Sequence, residues 1–220
     1  MIHLYFFIVG TVFASFLGLV IDRFPEQSII TPASHCNACG KRLAPRDLIP
    51  IVSQVLNRLR CRFCGDKIPL RYLFFECIFG GLFLATSLGT ISISQLLLLT
   101  MGITLAIYDQ RELQYPLMIW LVFQLLLTMM TGINPLMLFF LVLGLLAFFY
   151  NLHIGAGDFF FLASCSAIFS LTEILILIQI ASLSGLACFC FKKKKDRMAF
   201  VPCLLLGVAL IIFYQILLFY

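Results

Sequence analysis

Three long stretches of this chain carry no Asp, Glu, Lys or Arg: Cys77 to Tyr108, Leu113 to Gly157 and Ala199 to Tyr220. A helix that crosses a bilayer needs about 20 mostly apolar residues, within a range of roughly 17–25. The first stretch suits two short spans broken near Ser87–Thr90. The second suits two more, broken at Thr131–Pro135, where Gly132 and Pro135 punctuate the apolar run. Residues 158–191 hold Asp158 at their start and Glu173 in their middle, and fit two shorter spans. Leu4–Ile21 and Ala199–Phe219 bring the expected count to about eight. Composition agrees: 62% of the residues are hydrophobic and 11% charged, against roughly 45–50% and about 25% in soluble domains. The N-terminal run lacks a basic segment before it and an A-x-A-like cleavage site before Asp22, so it reads as a retained first helix.

Orientation follows from the basic residues. Nine of the fifteen Lys and Arg fall in residues 23–71, Arg111 stands alone, and the others are Lys192–Lys195 and Arg197. With eight spans, all fifteen lie in loops on one side, which is then cytoplasmic, and both termini lie outside. The net charge of +5 needs no nucleic acid, because basic loops beside anionic lipid are the ordinary expectation. The expected fold class is an all-α polytopic membrane protein with a small cytoplasmic loop domain. Its divisions are a first transmembrane helix (1–22), the loop (23–71) and a helical bundle (72–220).

The loop contains Cys36-Asn-Ala-Cys39 and Cys61-Arg-Phe-Cys64, each followed by a glycine. A glycine there permits the tight turn that aims amide groups at thiolate sulfur. Four thiolates in this pattern suit a tetrahedral structural Zn(II) site. The alternatives are two disulfides, which a reducing cytoplasm disfavours, or a redox C-x-x-C, which leaves the second pair unexplained. His35 adjoins Cys36 and offers a Cys/His variant. A loop with so little core would draw much of its folding energy from the metal. The other five cysteines, Cys77, Cys165, Cys188, Cys190 and Cys203, lie in apolar stretches and read as packing groups.

An ionisable group in a spanning segment is costly and points to function. Glu76, Asp109, Asp158 and Glu173 are the candidates. In the eight-helix arrangement Asp109 ends helix 3 and Asp158 begins helix 6, at one depth. Two neighbouring carboxylates cannot both ionise easily, and a pair sharing one proton can activate water against a peptide carbonyl. Gly155-Ala-Gly157 before Asp158 permits close backbone approach. The competing readings are an N-cap role for Asp158 and a solvated interfacial charge for Asp109. Glu173 reads as a solvated outer residue, and Trp120 with the many phenylalanines as packing or lipid-facing groups.

Taken together, these stretches resemble the prepilin peptidase (type IV leader peptidase) family of G-x-G-D intramembrane aspartic proteases. Ala14-Ser-Phe-Leu17, the run from Ser28 to Cys39, Asp47-Leu-Ile-Pro50, Arg60 to Cys64, Ile68 to Tyr72, Glu76, Tyr108-Asp109, Gly155-Ala-Gly-Asp158 and Phe200-Val-Pro202 match the family in order. The resemblance implies that Asp109 and Asp158 are catalytic, and that the substrate is the basic leader of a type IV prepilin or pseudopilin. It implies a cut after a Gly at the cytoplasmic face of the bacterial inner membrane. Many family members also N-methylate the new N-terminus with S-adenosylmethionine; no glycine-rich cofactor loop is visible here. Glu76 matches a family position, with pairing to a loop arginine as its structural alternative. Three departures stand out: Gly18 for the usual Asn, Phe160 for a common Lys, and Gln114-Tyr115-Pro116 for Leu/Ile-Pro-Asp. The compact pattern resembles the competence pseudopilin-processing type. Two other classes fit parts of the pattern. A signal-peptide-peptidase-like protease shares G-x-G-D but lacks the zinc loop, and a zinc-stabilised scaffold or transporter would tolerate loss of both aspartates.

Overall fold

The computed structural model describes residues 1–150, 155–191 and 198–219. His153 and the basic run Lys192–Lys195 with Arg197 lie outside the described residues. The chain divides into two compact units, Met1–Thr90 and Ile91–Tyr220. Both are helical.

The first unit holds α1 (Ile2–Arg23), the short α2 (Val52–Leu56) and α3 (Leu70–Ser87), with a single 3-10 turn at Pro45–Leu48. Helices α1 and α3 pack together because small residues let their backbones approach. A Cβ on Gly10 would sit 2.6 Å from the Phe79 carbonyl oxygen, and one on Gly80 would sit 2.7 Å from the Phe7 ring. Around this contact Phe13, Phe75, Phe79 and Phe83 form a ring cluster with centroids 4.7–6.2 Å apart. At the loop end, the Tyr72 hydroxyl and the Arg71 guanidinium both donate to the Asp22 carboxylate, at 2.5 and 3.2 Å.

The second unit holds α4 (Ile93–Glu112), α5 (Leu117–Thr131), α6 (Pro135–Tyr150), α7 (Ala156–Ser166), α8 (Leu171–Phe191) and α9 (Val201–Phe219). The expected breaks carry their own stop and start chemistry. Helix α3 ends before Gly89 (φ +77), and Ser92 caps α4 in a reciprocal box with Gln95. Helix α5 ends at Gly132 (φ +79), and the Asn134 side chain accepts from the Met137 N–H at 2.7 Å to open α6. Helix α4 packs on α5 and α9, α6 on α7, and α8 on α9. Gln95, Gln215 and Glu173 tie α4, α9 and α8 together: Gln95 Nε2 donates to Gln215 Oε1 at 2.9 Å, and Gln215 Nε2 to Glu173 Oε1 at 2.6 Å. Glu173 is therefore a partnered interhelix residue, where solvation alone was expected.

Eight helices longer than ten residues occur among the described residues. Five of them, α1, α3, α4, α8 and α9, are long and apolar enough to cross a membrane. Helices α5, α6 and α7, at 15, 16 and 11 residues, fall short of that length. Of the five cysteines expected to pack, Cys165 and Cys203 are buried, whereas Cys77, Cys188 and Cys190 lie on outer helix surfaces.

Candidate active site and metal centre

In the first unit, the two C-x-x-C pairs fold into near-identical knuckles. The Cys36 N–H donates to the Lys41 carbonyl, and the Gly40 N–H to the Cys36 carbonyl at 2.8 Å. The second knuckle repeats both bonds, Cys61 N–H to the Asp66 carbonyl and Gly65 N–H to the Cys61 carbonyl at 2.8 Å. Gly40 (φ +68) and Gly65 (φ +75) take the left-handed conformation that closes each turn. All four cysteines are free, and their sulfurs lie within 4.8 Å of one another. The Cys36–Cys64 separation is 3.8 Å, the edge of a tetrahedron with metal–sulfur bonds of about 2.3 Å. The N–H groups of Cys39 and Ala38 draw the Cys36 thiol down to about 7, towards the thiolate a metal requires. This cluster can hold a metal ion. His35 bonds instead to the Ala33 carbonyl at 3.0 Å.

Glu76 is anchored differently from expectation. Its buried Oε2 accepts from the Ile51 N–H at 2.6 Å and from Gln54 Nε2 at 2.7 Å; the partner is loop backbone and an amide, not an arginine. Ile51 is a β-branched residue at φ +59, a conformation that survives only where neighbours hold it, and Glu76 supplies that hold. Beside it opens a cavity of about 730 Å³ lined in part by Asp22, Arg23, Gln54, Arg60, Tyr72 and Glu76. Gln54 Oε1 is buried there without a partner.

In the second unit Asp109 is 7% exposed, so it is not a solvated interfacial charge. It sits in the last turn of α4, and its Oδ2 accepts from the Val201 N–H at 3.0 Å, where α9 begins. The Phe200-Val-Pro202 segment, noted in the sequence only as a motif, thus touches the carboxylate directly. Asp158 occupies the first turn of α7, whose N-cap is Gly155 and not Asp158 itself. A Cβ on Gly155 would lie 2.8 Å from Asp158 Oδ2, so that glycine makes room for the carboxylate to fold back over the helix start. The helices that carry Asp109 and Asp158, α4 and α7, are in contact.

Tyr115 completes the group. Its hydroxyl donates to the Gly157 carbonyl at 2.6 Å, and its ring would stand 2.9 Å from a Cβ on Gly157. Burial, then the Asp158 and Asp109 carboxylates, push its phenol up, which keeps it a donor. Deeper in the unit, Trp120 Nε1 donates to both the Phe160 carbonyl and Ser164 Oγ at 3.0 Å, and Ser164 Oγ donates to Gln124 Oε1 at 2.6 Å. These bonds fix α7 against α5. Phe160, at the position of the expected Lys, stacks on Trp120 at 4.8 Å and covers Gly144; it fills an apolar place and offers no cation to Asp158.

Comparison with known proteins gives the family. Residues 8–90 match the family model described as Bacterial Peptidase A24 N-terminal domain, nearly the whole of the first unit. A prepilin leader peptidase/N-methyltransferase of Myxococcus xanthus is 44% identical over 82 residues, which is 37% of this chain and 24% of that protein. One from Klebsiella pneumoniae is 32% identical over 123 residues, 51% of this chain and 54% of that protein. The matched stretches thus span about a quarter and about half of those two relatives. One from Neisseria gonorrhoeae is 31% identical over 215 residues, 86% of this chain and 73% of that protein. No solved structure matches the chain. Since that last match extends over most of both proteins and takes in the knuckles as well as both aspartates, the chain belongs to the prepilin leader peptidase/N-methyltransferase family.

Proposed function

We propose that this chain is an intramembrane aspartic endopeptidase that removes the leader of a type IV prepilin or pseudopilin at the cytoplasmic face of the bacterial inner membrane. The observation that supports the reading is a buried Asp109 in the last turn of α4 and Asp158 in the first turn of α7, two helices that touch, with Tyr115 bonded to the Gly157 carbonyl beside Asp158. In the reaction one carboxylate takes a proton from water while the other carboxyl group, protonated, hydrogen-bonds the scissile carbonyl. The water oxygen bonds to the carbonyl carbon and gives a tetrahedral intermediate without a covalent enzyme adduct. The C–N bond then breaks as a proton passes to the leaving amine, which becomes the mature N-terminus. The Tyr115–Gly157 bond supports this by holding the start of α7 in place. The reading includes eight membrane helices with the basic loops cytoplasmic, a membrane-lipid surround and no nucleic-acid partner. It divides the work into a first helix, the 23–71 loop and a catalytic bundle over 72–220.

Zinc is the metal we assign to Cys36, Cys39, Cys61 and Cys64, in a structural role, because four thiolates leave no open position for substrate. A second activity, N-methylation with S-adenosylmethionine as donor, belongs to the reading because the relatives are named prepilin leader peptidase/N-methyltransferase. Titration calorimetry with S-adenosylhomocysteine on the full chain would measure that binding, and absence of heat would remove the reading. The protease reading is tested by Asp109→Asn and Asp158→Asn in a leader-cleavage assay. Cleavage should fall by orders of magnitude in both, since acid–base roles alone are worth about 10²–10⁴, while Glu112→Gln retains most activity. Near-parent cleavage by Asp158→Asn would overturn it.

A further inference from the structure

The loop of the first unit contains a segment built inside out. Over residues 48–56, Leu48, Ile49, Val52, Val55 and Leu56 all face outward, with Val55 60% and Leu56 77% exposed. The polar residues between them, Ser53 and Gln54, face inward at 7% exposure. A surface helix in water shows the opposite pattern. Val52, Val55 and Leu56 share one face of α2 at i, i+3 and i+4 and, with the exposed Leu48 and Ile49 at the end of the 3-10 turn, make an apolar ridge interrupted by the turn at Ile51. Exposed Arg46 and Arg58 bracket the ridge. The one acid between these arginines, Asp47, turns away to the Ala44 N–H at 3.1 Å and to Arg62 at 3.3 Å, so the outer face is apolar with a cationic rim.

The depth of this segment is set by its anchor. Ile51 and Gln54 bond to Glu76, six residues into α3, or roughly 9 Å along its axis at 1.5 Å per residue. Helix α3 has 18 residues and is one of the five helices able to cross a membrane; its length of about 27 Å leaves no slack against a hydrocarbon core of about 30 Å. A segment bonded to the second turn of such a helix lies below the helix's starting end, within about 9 Å of the hydrocarbon boundary.

We infer that residues 48–56 are seated in the cytoplasmic interfacial layer of the bilayer, with the Leu48–Leu56 ridge among the acyl chains and Arg46 and Arg58 among anionic headgroups. This is the arrangement of an in-plane amphipathic element, here with its polar side bonded to Glu76. The arginines match an anionic leaflet in sign. The bonds to Glu76 satisfy the Ile51 N–H and the Gln54 Nε2 donor that the apolar layer would otherwise strand. The seat also explains why a strained Ile51 is tolerated: it turns the chain so that Gln54 faces the helix while the aliphatic residues face the lipid.

The test places the photoreactive residue p-benzoylphenylalanine at Leu56 of the full chain. The protein is reconstituted in nanodiscs of phosphatidylethanolamine and phosphatidylglycerol, and adducts after illumination are identified by mass spectrometry. Lipid adducts are expected at position 56, several-fold above those from the same probe at Ala38, in the turn between the first two cysteines. Val52 carries the probe as a second site, and retention of metal by each variant reports that the loop is folded. Adducts to residues beyond Thr90, adducts to a second copy of the chain, or an absence of lipid adducts at both 52 and 56 in metal-bearing protein would overturn the inference. Leader cleavage does not enter this readout, so it stands or falls apart from the protease assignment.

Discussion

The two candidate sites of this protein are held together by opposite means. The cysteine cluster is assembled from two short, nearly identical knuckles, each closed by its own backbone bonds and a left-handed glycine. Its supporting loop has little buried apolar material: of its larger residues only Cys61 is among the core. The aspartate site has no local assembly at all. Asp109 is satisfied by a backbone N–H 92 residues away, and the start of α7 by a tyrosine hydroxyl 42 residues away. A site of the first kind is built from local bonds and from the four sulfurs that can hold a metal ion, and from nothing distant. A site of the second kind depends on how distant helices pack. Loss of metal and loss of packing should therefore damage different halves of the molecule.

The largest expected effect falls on the loop. Cys61→Ser, or chelation of the metal, removes an interaction whose apparent worth in zinc-finger peptides is about 10–16 kcal/mol. The loop between Arg23 and Leu70 should become open to added protease while α4–α9 remain resistant, as read by limited proteolysis and mass spectrometry. Cleavage of both units together would contradict the division of labour. Next comes Gly157→Ala, whose new methyl would stand 2.9 Å from the Tyr115 ring. Overpacking of this kind costs about 1–3 kcal/mol, and at this position it should lower leader cleavage at least tenfold with metal content unchanged. Tyr115→Phe removes one hydrogen bond, worth about 0.5–1.5 kcal/mol, so kcat should fall several-fold and KM should hardly move. Glu173→Gln keeps the Gln215 contact in amide form and should leave activity within about twofold, because its network lies with Gln95 and Gln215 and not with the aspartates.

Legibility in the sequence follows the same contrast. The knuckles are local, so their spacing and following glycines displayed them without any three-dimensional knowledge. The helix breaks at Ser87–Thr90 and Thr131–Pro135 were visible for the same reason. The expectation that Asp109 and Asp158 share a depth rested on counting spans, and the length shortfall of α5, α6 and α7 shows how coarse that count is. Three features were hidden. Tyr115 looked like a mere departure from the family pattern, because nothing near residue 115 announces a partner at 157. Glu76 suggested an arginine partner by charge, but a buried carboxylate is equally satisfied by backbone and amide donors. Trp120 read as an apolar group because its N–H partners, Phe160 and Ser164, lie 40 and 44 residues away. Apolar periodicity reports which face is buried, not which polar atoms meet across it.

The measurement that tests the account most directly is a paired one on Asp158→Asn and Cys61→Ser: metal content and leader cleavage determined on the same purified full-length preparations in lipid. For Asp158→Asn the account predicts about one zinc per chain, as a four-cysteine site binds, with cleavage reduced by about 10²-fold or more. For Cys61→Ser it predicts loss of the metal. An Asp158→Asn protein that keeps its zinc and still cleaves near the parent rate would contradict the central claim that the buried aspartates, and not the cysteine loop, carry the chemistry.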